Sequence, residues 1–180
     1  MMLTRYLVFA VTGVLFSYCR NKQDPTPVAL LPPITQTGAN TFGCVVNGQV
    51  FRPQGNDGTA NYSVVYDPTF EGGNLDIRAY QLTKNSQPQY LIVGGSQIDK
   101  PGVYRLTADT KKLAYYADAN QPPTCARYSS DMPATYCRGT LTVTRLDLAA
   151  GIVAGTFAFT LAQPGCDTIR VTEGRFDKKL

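Results

Sequence analysis

The sequence predicts an all-β fold, an antiparallel two-sheet sandwich of about ten short strands, and three observations carry that prediction. From Asn40 onward, short apolar or alternating runs recur, each bounded by Gly, Pro, Asn or Asp turn signals. No amphipathic helical repeat of any length interrupts them. The clearest run, Ile152 to Leu161 (IVAGTFAFTL), alternates with a period of two, placing Val153, Phe157, Phe159 and Leu161 on one face and Thr156, Ala158 and Thr160 on the other. Ten strands exceed one comfortable flat sheet, which favours two layers. A closed or partly open barrel is the runner-up, because periodicity does not separate the two.

The 180 residues divide into three parts: a signal peptide (1–18), a lipidated cysteine with a proline-rich tether (19–39) and a single β-domain (40–180). Arg5 precedes an uncharged apolar run of 11 residues, Tyr6 to Phe16, which fits a signal h-region and is too short to span a bilayer. Phe16-Ser17-Tyr18-Cys19 resembles a bacterial lipobox, in which the cysteine is acylated and becomes the first mature residue, although Tyr18 and Phe16 depart from its usual small residue and leucine. An ordinary secretory signal cleaved nearby, leaving Cys19 as a thiol, is the alternative. The expected location is therefore outside the cytoplasm, on the bacterial cell envelope and on its outer membrane, with the membrane itself as partner through the lipid. Stable anchoring takes two or more acyl chains, which lipoproteins of this kind carry. Pro25, Pro27, Pro32 and Pro33 disfavour helix and central strand over Arg20 to Ala39. An extended spacer of about 20 residues would reach roughly 60 Å.

The β-domain opens with Thr41–Val46 and Gln49–Arg52 around Asn47-Gly48, a dipeptide that tolerates the positive φ of a type I′ hairpin. Strands follow at Tyr62–Tyr66, Asn74–Leu82, Gln89–Val93, Val103–Leu106 and Lys112–Ala117, separated by Asp67-Pro68, Gly72-Gly73 and Pro101-Gly102. Asp118 to Tyr136 reads as a long irregular connection. In Gly139–Leu148, Leu141 and Val143 have one parity and Leu146 and Leu148 the other, so a bulge near Thr144-Arg145 is needed to turn both pairs inward. In Thr168–Lys178 a glycine-containing bulge at Glu173-Gly174 does the same for Ile169, Val171 and Phe176.

Apart from Cys19, four cysteines remain in a chain expected to be exported, and they read as two disulfides. The expected pairing is Cys125 with Cys137, closing the long connection, and Cys44 with Cys166, tying the first strand to the last. No C-x-x-C occurs, so neither a thioredoxin-like redox site nor a four-cysteine zinc site is indicated.

Gly38-Ala39-Asn40-Thr41-Phe42-Gly43-Cys44 with Val46-Asn47-Gly48, and Gly155-Thr156-Phe157 with Thr172-Glu173-Gly174-Arg175-Phe176-Asp177, resemble the opening and closing segments of a family of small lipoproteins of unassigned function from Bacteroidetes-type bacteria. The resemblance implies an envelope lipoprotein with a β-rich domain. It implies no catalytic residue.

The chain has no histidine, which excludes histidine-based triads and imidazole metal ligands. Beyond residue 18 it carries Glu71, Glu173 and 11 aspartates, and no two stand out as a hydrolytic pair. Glu71 reads as a turn carboxylate, and Arg175 and Asp177 as surface charge. Gly94-Gly95-Ser96-Gln97-Ile98 lacks the final glycine of a nucleophile elbow. Asn56-Asp57-Gly58 and Asp118-Ala119-Asn120 lack the repeated spacing of a calcium loop. No catalytic, cofactor or metal residue is expected. A formal charge of +4, or +3 without Arg5, and only two adjacent basic pairs argue against nucleic acid. Tyrosine alone has a binding flavour: Tyr115-Tyr116, Tyr128 and Tyr136 surround the long connection, and Tyr116 and Tyr128 are the expected ligand contacts. The expected function is non-enzymatic, a binding or structural role with an envelope protein or glycan as partner. A glycan-binding accessory role is the alternative, and a carboxylate-based hydrolase ranks below both.

Overall fold

In the computed structural model, residues 25–108 and 110–180 are described, so the expected signal segment and the Cys19 lipid site lie outside the described residues. The described residues form eleven strands: β1 (Thr41–Val46), β2 (Gln49–Phe51), β3 (Tyr62–Asp67), β4 (Asn74–Leu82), β5 (Pro88–Gly95), β6 (Gly102–Thr107), β7 (Lys112–Asp118), β8 (Arg127–Ser129), β9 (Tyr136–Asp147), β10 (Ile152–Ala162) and β11 (Ile169–Lys179). They assemble as a six-stranded sheet, β2-β1-β11-β10-β9-β6, facing a five-stranded sheet, β3-β4-β5-β7-β8. Neither closes on itself, so the fold is the sandwich rather than the barrel.

Alternation produces the core. From the six-stranded sheet Phe42, Leu141, Val143, Phe157, Phe159 and Leu161 point inward, and they meet Leu75, Ile77, Leu91 and Val93 from the other sheet. Phe42 sits at the centre of an aromatic cluster, with Phe157 at 5.5 Å, Tyr62 at 5.4 Å and Phe51 at 6.2 Å between ring centroids. The first hairpin turns on Asn47 (φ 47°) and Gly48 (φ 81°), the left-handed pair that a type I′ turn requires.

Both expected bulges exist. On β9 the register passes from Ala154↔Arg145 to Gly155↔Val143, leaving Thr144 as the extra residue and turning Leu146 inward. Leu148 falls beyond β9 and is exposed, because the strand ends at Asp147. On β11 the register steps from Phe157↔Gly174 to Phe159↔Val171. The left-handed residue there is Glu173 (φ 55°), not the glycine. Gly174 is needed for space instead, since a Cβ there would lie 2.4 Å from the Phe157 ring. The connection from 118 to 136 is more ordered than expected. It contains a 3-10 turn, Pro123–Cys125, and the edge strand β8, which at three residues is too short for a periodicity to register.

The largest departure lies ahead of β1. The described part of the expected tether does not extend away from the domain; it makes a 3-10 turn at Pro27–Leu30 and then runs as a strap across the outer face of the six-stranded sheet. Three arginines donate to its carbonyls: Arg52 to Leu30 (3.0 Å), Arg175 to Pro32 (3.3 Å) and Arg145 to Gln36 (2.6 Å). Asp177 accepts from Thr35 Oγ1 (2.7 Å), Thr37 N (2.9 Å) and Gly38 N (2.7 Å). Prolines forbid a ladder but leave carbonyls free to accept, and these side chains take them. Arg175 and Asp177 are therefore not surface charge: they are 9% and 1% exposed. Burial alone would raise the Asp177 pKa, yet the donors from Thr35, Thr37, Ala39 and Gly38 hold it below the usual carboxylate range.

Candidate functional site

At the far end of β1 from the strap's clasp, the two sheets leave an open-mouthed cavity of about 390 Å³. Tyr116 on β7 and Tyr128 on β8 are cross-strand partners in its wall. Both are nearly buried, 4% and 2% exposed, and both rings belong to the core. These two expected ligand contacts are wall residues of a recess, with their rings packed into the core. Tyr115, the neighbour on β7, points to the opposite face, as alternation demands.

A polar relay forms part of the same wall. Gln81 Nε2 donates to Gln89 Oε1 (2.6 Å), and Gln89 Nε2 donates to Asp118 Oδ2 (2.8 Å). Asp118 Oδ1 accepts from the Asn120 backbone (2.9 Å) and side-chain amide (2.7 Å). Burial works against the Asp118 anion, but these donors win and hold its pKa low. Burial first, and the Asp118 charge second, push the Tyr116 phenol up. Tyr116 is accordingly a neutral hydroxyl beside a fixed carboxylate. Tyr128 Oη donates to the Asp167 carbonyl at 2.8 Å, bracing the loop before β11.

One disulfide closes this end, Cys125 to Cys166, joining the 3-10 turn after β7 to the loop between β10 and β11. The expected pairs Cys125–Cys137 and Cys44–Cys166 do not form. Cys44 on β1 and Cys137 on β9 are buried free thiols. Strand parity explains it: Cys44 shares the inward parity of Phe42 and Val46, and Cys137 that of Leu141 and Val143, so both side chains point into the core while Cys125 and Cys166 meet outside it. Burial pushes the Cys137 thiol up to about 11 and Cys44 further, which keeps both protonated and unreactive.

A second aromatic surface was not anticipated. On the outer face of the five-stranded sheet Tyr80 and Tyr90 are cross-strand partners with ring centroids 5.7 Å apart, and with Ile92, Tyr115 and Arg78 they line a groove of about 460 Å³. The segment between β2 and β3 covers Tyr80: its hydroxyl accepts from Asp57 N (2.9 Å) and donates to Thr59 O (3.0 Å). Alternation along Asp76, Arg78 and Tyr80 in β4 was the signal for this face.

The carboxylates singled out in the sequence are dispersed. Glu71 pairs with Lys111 at 3.2 Å on the surface, and the half-exposed Glu173 pairs at 3.0 Å with Arg175, which the strap covers. Asp57 caps its own turn, accepting from Thr59 N and Oγ1. Among the described residues no group of three or more His, Cys, Asp or Glu side chains could hold a metal ion, and no helix is long and apolar enough to cross a membrane. Compared with known protein families, with curated proteins and with solved structures, the chain matches none.

Proposed function

We propose that the protein is an exported lipoprotein of the bacterial cell envelope, anchored to the outer membrane through an acylated Cys19, whose disulfide-tied sandwich acts by binding rather than by catalysis. The signal-like segment and the Cys19 context support the anchor. The observation that carries the binding role is the 390 Å³ cavity, where the Gln81-Gln89-Asp118 relay and two tyrosines stand in one wall. Amide donors and acceptors, a fixed carboxylate and aromatic edges suit an uncharged polyhydroxyl ligand, so an envelope glycan is the ligand class favoured over a charged metabolite.

The test is a glycan array probed with the full chain, followed by titration of any hit against Gln89→Leu. That change removes both relay hydrogen bonds of Gln89, and at least a tenfold loss of affinity is expected, roughly 1.4 kcal/mol, the lower range for a buried partner left unpaired. Binding unaffected by the change would place the ligand elsewhere. An empty array together with membrane crosslinking that captures no partner would remove the binding role.

A further inference from the structure

The strap changes where the domain sits, and a second recess lies at the point where the chain leaves it. Cys19 is six positions before Pro25, so even fully extended chain between them spans only about 20–22 Å. That is about a third of the reach expected if residues 20–39 were all spacer. If Cys19 is acylated, the pole of the sandwich carrying the Pro27–Leu30 turn must lie beside the headgroups. This inference rests on the anchor reading.

At that pole is a cleft of about 620 Å³ between the strap, the start of β1, the end of β11 and the segment after β2. It is lined by two cations, Arg52 and Lys178, and by no carboxylate. Its apolar side is Leu30, Leu31 and Phe42, and Val28 and Leu30 of the adjoining turn are exposed. Arg52 spends one guanidinium nitrogen on the Leu30 carbonyl, and Lys178 Nζ stands 5.0 Å from the Tyr62 ring centroid; neither makes a salt bridge among the described residues. Asp177, the carboxylate whose charge reaches Tyr62, has both oxygens committed to the strap.

We propose that this cleft docks an anionic lipid headgroup of the membrane that anchors the chain. Two uncompensated cations supply the charge complementarity, and the short connection to Cys19 delivers the cleft to the surface where such headgroups are concentrated. Lipid docking would fix the orientation of the domain and hold the cavity at the other end of β1 away from the bilayer.

The test uses full-length protein purified from membranes, with acylation of Cys19 verified by mass, reconstituted into phosphatidylcholine vesicles with or without phosphatidylglycerol. Hydrogen exchange is followed at the amides of residues 28–31, Arg52 and Gln54. Two cations near an anionic surface favour the docked state about thirtyfold, so exchange at these residues slows on the anionic vesicles. High salt in the unaltered protein reverses the slowing. The double variant Arg52→Gln, Lys178→Gln abolishes it, with protection at Thr37 and Gly38 reporting that the fold is intact. Equal exchange on neutral and anionic vesicles overturns the docking site while leaving the anchor standing. Slowing by inorganic phosphate without vesicles overturns the lipid as occupant. An unmodified Cys19 overturns the anchor reading, and this proposal with it.

Discussion

Replacing Asp177 by asparagine tests the clasp on the strap with almost no change of shape. In the native site Oδ2 accepts from Thr35 Oγ1 at 2.7 Å and Thr37 N at 2.9 Å, while Oδ1 accepts from Gly38 N at 2.7 Å. Asparagine has one acceptor oxygen. Placed at the Oδ2 position, it keeps the bonds from Thr35 and Thr37 in weaker, uncharged form and turns an NH₂ group toward the Gly38 N–H, leaving a half-buried donor unpaired. An unsatisfied half-buried donor costs about 1–2 kcal/mol, and losing the charge from the remaining bonds adds roughly 1 kcal/mol, so about 2–3 kcal/mol is expected. Hydrogen exchange at Thr37 and Gly38 should accelerate by about thirtyfold to somewhat over a hundredfold, while amides in β4 and β5 stay protected. The pH dependence has a defined sign. Because the folded-state pKa of Asp177 is depressed, its contribution is complete above the ordinary carboxylate pKa and fades as pH falls through the lowered value. The wild-type strap should therefore loosen below about pH 4, whereas the asparagine variant should show no such step. Unchanged exchange at Thr37 and Gly38 at neutral pH, or identical acid profiles, would refute the reasoning.

Non-reducing peptide mapping should recover Cys125 linked to Cys166, and native alkylation should leave Cys44 and Cys137 unmodified until the chain is unfolded; a Cys44–Cys166 peptide would contradict the structure. Removing the disulfide as Cys125→Ser with Cys166→Ser should cost about 4 kcal/mol by loop closure over a separation of 41 residues, measured by denaturant titration. Gly174→Ala forces a Cβ to within 2.5 Å of both the Phe157 ring and its carbonyl, so about 1–3 kcal/mol or more is lost, seen as a lower denaturation midpoint. Gly48→Ala meets nothing within 4 Å and should cost only the left-handed backbone penalty of about 1–2 kcal/mol; Gly174 is not left-handed, so an unchanged midpoint for Gly174→Ala would show that steric crowding is not what selects it.

Local patterning carried most of the strand content because each strand of this sandwich buries one face, which writes a period of two into the sequence. The bulge at Thr144 was legible for the same reason: Leu141 and Leu146 cannot both face inward without an extra residue. Residues that act across the fold were not legible. The parity that identified Val143 as core applied equally to Cys137, but the even count of cysteines pointed to pairing, and only the placement of both sheets shows Cys125 meeting Cys166. Tyr116 and Tyr128 were drawn to the right region by their clustering, yet their burial depends on which sheet lies opposite. The Gln81-Gln89-Asp118 relay had no signal at all, because glutamines at strand ends read as solvated turn flanks until β4, β5 and β7 align.

The same logic relocates the start of the folding unit. Ile152, Val153 and Ala154 open β10 as an unbroken apolar run and all three are buried, whereas further along the strand Thr156 and Thr160 alternate with buried Phe157, Phe159 and Leu161. A strand reads as continuously apolar where both faces are covered. Ile152 and Ala154 share the outward parity of Thr156, so something must cover the outer sheet face at that point, and the neighbouring Gly38 lies there, a Cβ on it coming 3.4 Å from Ile152. The strap is thus part of the fold, which takes in Leu30 to Gly38 ahead of Asn40. A chain starting at Asn40 would expose Ile152 and Ala154 and leave the Asp177 and Arg175 side chains without their partners in the strap. It should unfold at lower denaturant than a chain starting at Pro25, and with a smaller m-value because less surface is buried in its native state. Equal midpoints and slopes for the two chains would mean that the strap merely rests on the sheet, and that the apolar opening of β10 has another cause.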